Sequence, residues 1–104
     1  MAYGKSLTIL ADPTRRAVFE HLQRGPAAAG DLARHFPVSR PAISQHLNAL
    51  LDAGLVEVER RGTKRIYSIR LAGLEELRSW IEGFWETALA RYKEALERHE
   101  HNDQ

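Results

Sequence analysis

Cysteine is absent from the 104 residues. Its absence excludes disulfides, thiolate metal sites, cysteine nucleophiles and thiol-based redox sensing within this chain. The apolar stretches are short and interrupted by charged residues, so none predicts a membrane span. The first residues lack the apolar core of a secretory signal, and we therefore expect a cytoplasmic protein. A Gly-rich phosphate loop, HExxH and Gly-x-Ser-x-Gly are also missing, which argues against an enzyme.

The overall composition is that of an ordinary folded domain, with 43% hydrophobic and 28% charged residues. A chain of this length predicts a single domain, residues 1–104. The net charge of +1 conceals a division along the chain. Residues 1–71 hold eleven Lys and Arg against six Asp and Glu, whereas residues 72–104 hold four against eight. A body of charge +5 followed by a segment of charge −4 indicates a polyanion as partner of the body.

Capping residues and apolar spacing predict four helices in the first half. A short helix covers 6–10, and a second, capped by Asp12, begins at Pro13 and ends at Gly25-Pro26. A third covers about 29–36. Ser39 then caps a fourth helix that ends at Gly54, and the short break before it gives the spacing of a helix-turn-helix.

After Gly54 the hydrophobic period changes from that of a helix to that of a strand. Residues 55–60 and 65–71 alternate apolar and polar side chains, and the turn 61–64 between them contains a glycine, which predicts a β-hairpin. One long helix then covers about 74–99, and residues 101–104 are expected to fray. The expected fold is mainly α with a β-hairpin wing (α+β).

The helix after Ser39 carries the first candidate functional surface. Its polar face has a leading Arg40 together with Ser44 and Gln45, and these side chains can pair with base edges in a major groove. Any solvated helix has a polar face. The preceding helix and the basic hairpin after it favour DNA reading over that simpler interpretation.

The hairpin tip is strongly basic, with Arg60, Arg61, Lys64 and Arg65 close together. Such side chains contact DNA phosphates or enter the minor groove. The alternative is that these charges only protect a strand edge from pairing with other chains.

The long helix carries an apolar stripe over about three heptads, which predicts packing along another helix. Because a domain of this size has little surface to cover the stripe, we expect a second subunit. Trp80 and Trp85 can instead line a small-molecule pocket, but aromatic side chains at this spacing are more often part of an interface. The expected dimer contacts on this helix are Leu74, Leu77, Ile81, Phe84, Trp85, Ala88 and Tyr92, and Leu7 on the first helix is a further expected contact.

The segments Leu10–Arg16, Asp31–Ala33, Ser39–Leu47 and Leu50–Leu55 together resemble the ArsR-type (ArsR/SmtB) winged-helix repressors. The resemblance implies the element order α-α-α-α-β-β-α, with a DNA-binding core at 12–71 and dimerisation helices at 1–11 and 72–100. It further implies a homodimer that binds a palindromic operator in double-stranded DNA. Such an operator overlaps a promoter, often that of the repressor's own gene. The resemblance also implies that His46 supports the recognition helix. The expected DNA-binding residues are Ser39, Arg40, Pro41, Ser44, Gln45, His46, Asn48, Arg61, Thr63, Lys64 and Arg65.

The chain departs from the metal-sensing members of that family. No ligand stands at residues 28–31, where those members carry paired cysteines, and no His lies between His46 and His99 in place of the second metal site. His99 and His101 leave a tail site open as an alternative. The expectation is therefore the metal-independent branch, with no metal and no cofactor. The operator, any inducer, the choice between repressor and activator, and a purely protein-binding role remain open at this stage.

Overall fold

The computed structural model describes residues 2–102, and it describes the side chains of residues 4–100. Five helices account for most of this range. They are α1 (Ala2–Leu10), α2 (Pro13–His21), α3 (Ala29–Ala33), α4 (Arg40–Asp52) and α5 (Leu71–Asn102). A short 3-10 turn, Leu22–Arg24, follows α2.

The predicted caps start α2 and α4. The Asp12 carboxylate accepts a hydrogen bond from the backbone N–H of Arg15 at 3.0 Å. The Ser39 hydroxyl accepts one from the backbone N–H of Ala42 at 3.2 Å. A proline stands in the first turn of each helix, where its missing N–H leaves no hydrogen bond unmade. Local chemistry therefore fixes where both helices begin.

A small antiparallel sheet follows the helix-turn-helix. Its strands are β1 (Ala27–Ala28), β2 (Val56–Arg61) and β3 (Lys64–Ile69), in the order β1-β3-β2. Gly62 and Thr63 form a two-residue hairpin loop, in which Gly62 adopts φ +63°. Positive φ at this position suits a tight hairpin turn and favours glycine. The architecture is that of a winged helix-turn-helix, mainly helical with a β-hairpin wing.

One apolar core joins the helices to the wing. Its fully buried members include Val18 of α2, Leu32 of α3, and Leu47 of α4, with Leu55 and Val56 at the start of the hairpin. α1 packs against α2, α4 and α5 at the edge of this core. No helix in residues 2–102 is long and apolar enough to cross a membrane.

The hairpin and α5 are tied to the end of α4 at one junction. The Arg70 guanidinium donates to the carbonyl of Gly54 at 3.2 Å, and the Arg70 backbone N–H donates to Leu55 at 2.9 Å. Gly54 itself has φ +73°. Gly73, in the first turn of α5, lies so close that an added Cβ would overlap the Gly54 carbonyl oxygen. This junction fixes the direction in which α5 leaves the body.

Several predicted boundaries are wrong. α3 ends at Ala33 instead of Phe36, because Arg34 and His35 donate to carbonyls three residues back and Pro37 disfavours a helical residue before it. α1 begins at Ala2 and α5 at Leu71, both earlier than predicted. β1 was not predicted, since two alanines carry no strand pattern. α5 runs to Asn102, so the predicted frayed tail is helical at its start, and its last two residues lie outside the described range.

α5 extends well beyond the body. Its 32 residues make a helix of about 48 Å, and the longest dimension of the molecule is 72 Å. Every side chain described from residue 78 to residue 100 is exposed. More than half of α5 is therefore not covered by this chain.

Candidate nucleic-acid interface

A cleft of about 380 Å³ opens between α3, α4 and the hairpin. Six of the eleven residues expected to bind DNA line it: Arg40, Ser44, Asn48, Thr63, Lys64 and Arg65. The first three lie on α4, and the others lie in the hairpin loop and the start of β3. The fold therefore brings the polar face of α4 and the basic tip of the hairpin to one surface.

Arg40 spans from α4 to the first turn of α3. A Cβ added to Gly30 would lie 3.7 Å from the Arg40 Cζ atom, so the guanidinium rests beside the Gly30 backbone. The three atoms nearest to such a Cβ all belong to the Arg40 guanidinium group. The cation lies where the two helices of the helix-turn-helix meet.

The hairpin supplies the opposite wall. Lys64 and Arg65 begin β3, and their strand partners in β2 are Arg61 and Arg60. All side chains from residue 59 to residue 65 are exposed. The tip therefore presents exposed cations to solvent, which suits contacts to phosphates more than to individual bases.

The other five expected DNA residues do not line the cleft. Ser39 caps α4 with its hydroxyl, Pro41 is exposed in the first turn, and Gln45 is exposed on the outer face of α4. Arg61 is exposed and pairs with Glu59 at 3.5 Å. Gln45 follows the cleft-lining Ser44 in the sequence, and its side chain has the exposure that base reading requires.

His46 packs towards α2 instead of the cleft. It is half-buried, and its Nδ1 atom is buried without a hydrogen-bond partner among the described residues. The pKa of the nearby Asp12 carboxyl lies below its usual value, mainly because of the hydrogen bond from the Arg15 N–H, with smaller contributions from the charges of His46 and Arg15. Partial burial of Asp12 opposes this shift. His46 thus lies near the cap of α2 and does not line the cleft.

The remaining lining residues are ones that the sequence did not predict. They are Ala28, Ala29, Gly30, Asp31, Arg34 and Tyr67. Tyr67 is buried and pairs with Ala27 of β1, so β1 forms the floor between α3 and the hairpin. Arg34 is an exposed cation directly after α3, in the turn of the helix-turn-helix. That position in the sequence could have indicated Arg34 as a candidate lining residue.

Charge in the cleft is strongly one-sided. Four cationic side chains line it, namely Arg34, Arg40, Lys64 and Arg65, against one carboxylate, that of Asp31. Hydroxyl and amide groups from Ser44, Asn48 and Thr63 lie among them. Such a surface attracts a polyanion and can hydrogen-bond both phosphates and base edges.

Within the part of the chain that the structure describes, no group of three or more His, Cys, Asp or Glu is placed to hold a metal. The His21 and His35 rings lie outside the cleft, with centroids 4.6 Å apart and planes tilted by 36°. The pKa of His21 is lowered, first by burial and then by the charges of Arg24 and His35. The side chain of His101 lies outside the described residues.

The residues expected at a dimer interface are mostly exposed in the single chain. Leu7, Leu74, Ile81, Ala88 and Tyr92 are exposed, and Phe84 and Trp85 expose 66% and 64% of their surface. Leu77 differs, because this chain already buries it to 8% exposure, so its burial needs no partner.

Four large apolar residues of α5 that are not among the expected dimer contacts are exposed as well: Leu71, Trp80, Leu89 and Leu96. Trp80 stacks on Phe84 with ring centroids 5.8 Å apart. It lies in a shallow groove with Glu75, Glu76 and Ser79.

Comparison with known sequences identifies close relatives. A family model described as a helix-turn-helix domain matches residues 10–59. The HTH-type transcriptional regulator Rv2034 of Mycobacterium tuberculosis is 49% identical over 88 residues, which are 85% of this chain and 82% of the relative. The transcriptional repressor SdpR of Bacillus subtilis is 39% identical over 75 residues, which are 72% of this chain and 83% of the relative.

Solved structures share the fold along most of the chain. An ArsR-like transcriptional regulator from Rhodococcus superposes with a TM-score of 0.74 at 34% identity, covering 89% of this chain and 91% of that one. A homodimeric winged helix-turn-helix DNA-binding domain of a possible ArsR-family regulator from Mycobacterium bovis superposes with a TM-score of 0.67 at 25% identity, covering 82% and 79%. The similar proteins are regulators of transcription, and their similarity extends over the helix-turn-helix, the wing and part of α5.

Proposed function

Because the chain belongs to the ArsR family of winged helix-turn-helix transcriptional regulators, we propose that it is a dimeric repressor that binds a two-fold-symmetric operator in double-stranded DNA. The observation that carries this proposal is the cleft, where the polar face of α4 and the basic hairpin tip share one surface. A helix beside a basic hairpin can place side chains in a major groove and on the flanking phosphates.

In this proposal α4 reads bases and the hairpin fixes the protein on the backbone. Arg40, Ser44 and Gln45 have the donors and acceptors for base edges. Lys64 and Arg65 are exposed cations on a solvent-facing tip, where phosphate contacts give affinity that falls with salt. Ser39 and His46 act indirectly, through the cap and the packing of α4.

The dimer is proposed through α5 together with α1. Its support is the uncovered apolar face of α5 and the likeness to the Mycobacterium bovis domain, which is homodimeric. Two helix-turn-helix units related by a two-fold axis match a palindrome, since operator symmetry mirrors protein symmetry.

The finer parts of the proposal concern regulation. The chain contains no cysteine, which favours a repressor without the family's cysteine metal site. We also propose that it represses its own gene and acts in the cytoplasm, where a bacterial-type repressor meets its operator.

A binding titration on the DNA upstream of the chain's own gene tests the proposal. We expect anisotropy of a labelled duplex to show tight binding at ~150 mM salt and at least about tenfold weaker binding to a shuffled duplex of equal composition. Arg40→Ala together with Gln45→Ala should remove most of that preference, because two of the three proposed base-reading side chains are lost and only Ser44 remains.

The double substitution Arg91→Ala and Gln23→Ala is the matched control, since both residues are exposed and lie outside the cleft. It should leave the preference unchanged. Equal binding of the wild-type chain to both duplexes would contradict specific operator reading.

A further inference from the structure

We propose that Arg34 is a phosphate-binding side chain of the DNA interface, and that Asp31 holds its guanidinium in the free protein until DNA replaces the carboxylate. The inference rests on the DNA binding proposed above. It adds a DNA contact after α3 to those proposed for α4 and the hairpin. It also means that the Asp31 carboxylate competes with DNA phosphates for the Arg34 guanidinium.

The two side chains are placed for this exchange. Asp31 lies in the first turn of α3, and Arg34 follows three residues later at the end of the helix, so they share one face. The Arg34 Nη1 atom lies 3.7 Å from the Asp31 Oδ1 atom. Both residues line the same cleft as Arg40, Ser44 and Lys64.

Exposure makes the pair easy to exchange. The Arg34 and Asp31 side chains are 80% and 53% exposed. An ion pair in water is weak because solvent and salt screen it. A phosphodiester offers a guanidinium two oxygens in the geometry that it binds best, so DNA in the cleft competes effectively for Arg34.

The charges around the pair also favour the binding of a further anion. Arg40 rests beside Gly30, directly before Asp31 in the chain, so a second guanidinium stands near the first turn of α3. Asp31 is the one carboxylate among the described residues that line the cleft. It therefore repels the DNA backbone from a surface that is otherwise cationic, and its effect on binding is opposite to that of its neighbours.

The test is a double-mutant cycle of Arg34→Ala, Asp31→Asn and the double variant, with binding measured at several salt concentrations. Two labelled duplexes serve as probes: the DNA upstream of the chain's own gene and its shuffled counterpart. Thermal melting of each variant verifies that α3 is still folded, since Asp31 also stabilises the first turn of that helix.

Arg34→Ala should weaken binding about five- to tenfold on both duplexes, because a phosphate contact carries no sequence information. The slope of log K against log salt should fall by about 0.9, the value for one lost phosphate contact. Asp31→Asn should strengthen binding about three- to tenfold on both duplexes. In the Arg34→Ala background most of the gain from Asp31→Asn should disappear, because the carboxylate then has no guanidinium to hold and only its repulsion of the DNA backbone is removed.

The ion pair between Arg98 and Glu94 on α5 is the matched control. It is exposed and lies outside the cleft, so Arg98→Ala and Glu94→Gln should leave both affinity and salt slope unchanged.

Three results would overturn the inference in distinguishable ways. If the wild-type chain binds DNA but Arg34→Ala leaves the salt slope unchanged, the proposed phosphate contact of Arg34 is wrong and the proposed function is unaffected. A gain from Asp31→Asn that is undiminished without Arg34 shows that Asp31 acts only by repelling the DNA backbone and not by holding Arg34. Failure of the wild-type chain to bind either duplex removes the proposed function, and this inference with it.

Discussion

At the scale of single residues, two glycines of α5 have opposite roles. An added Cβ at Gly73 would overlap the carbonyl oxygen of Gly54, whereas at Gly83 it would meet nothing within 4 Å. We expect Gly73→Ala to lower the free energy of unfolding by about 1–3 kcal/mol, because backbone atoms must shift. Gly83→Ala should raise it by about 1 kcal/mol, the difference in helix propensity at an exposed position.

Thermal or denaturant unfolding of the two variants provides the measurement. Each serves as control for the other, because both make the same chemical change in the same helix. If the Gly73→Ala variant proved as stable as the Gly83→Ala variant, Gly73 could not lie as close to the Gly54 carbonyl as the structure places it.

Individual residues also show how far sequence reasoning extends. The caps at Asp12 and Ser39 were predictable, because their chemistry is local and their signal lies within four residues. Leu77 was assigned to a partner subunit although its own chain buries it, since helical spacing cannot say what covers a face. Arg34 and Tyr67 were missed because they reach the cleft only through the packing of α3 and β1 against the hairpin.

At the scale of elements, the main feature left uncovered by this chain is the apolar face of α5. It carries Phe84, Trp85 and Tyr92, all mostly exposed in the single chain. We expect Phe84→Glu to weaken dimerisation by ~100-fold or more, because a charge would be buried in an apolar seam. Light scattering or sedimentation over a range of concentrations measures the change.

Ala90→Glu is the matched control for this prediction. Residue 90 is exposed on the same helix but lies on the opposite face, so a charge there stays in water. The dimer should persist in this variant. A stable dimer of Phe84→Glu would show that α5 does not form the interface through this face.

The elements differ in how well their patterns define them. The hairpin was predicted within one or two residues, because alternation and a glycine turn are strong signals. α3 was predicted too long, since its end depends on hydrogen bonds three residues back and on Pro37. β1 has no signal of its own and exists because β3 offers it an edge.

At the scale of the whole molecule, charge and shape point in the same direction. The body carries a net charge of +5 and the segment from residue 72 carries −4. The cationic cleft lies on the body, and α5 extends the molecule to 72 Å. A basic surface for DNA and an uncovered helix for a second subunit are thus separated along the chain.

The central claim is that two copies of this cleft read one two-fold-symmetric DNA site. Selection of binding sequences from a pool of duplexes with a randomised central segment, at ~150 mM salt, tests it most directly. The account predicts enrichment of an inverted repeat with half-sites about one or two helical turns apart. Enrichment of an asymmetric sequence, or no enrichment over the starting pool, would contradict it.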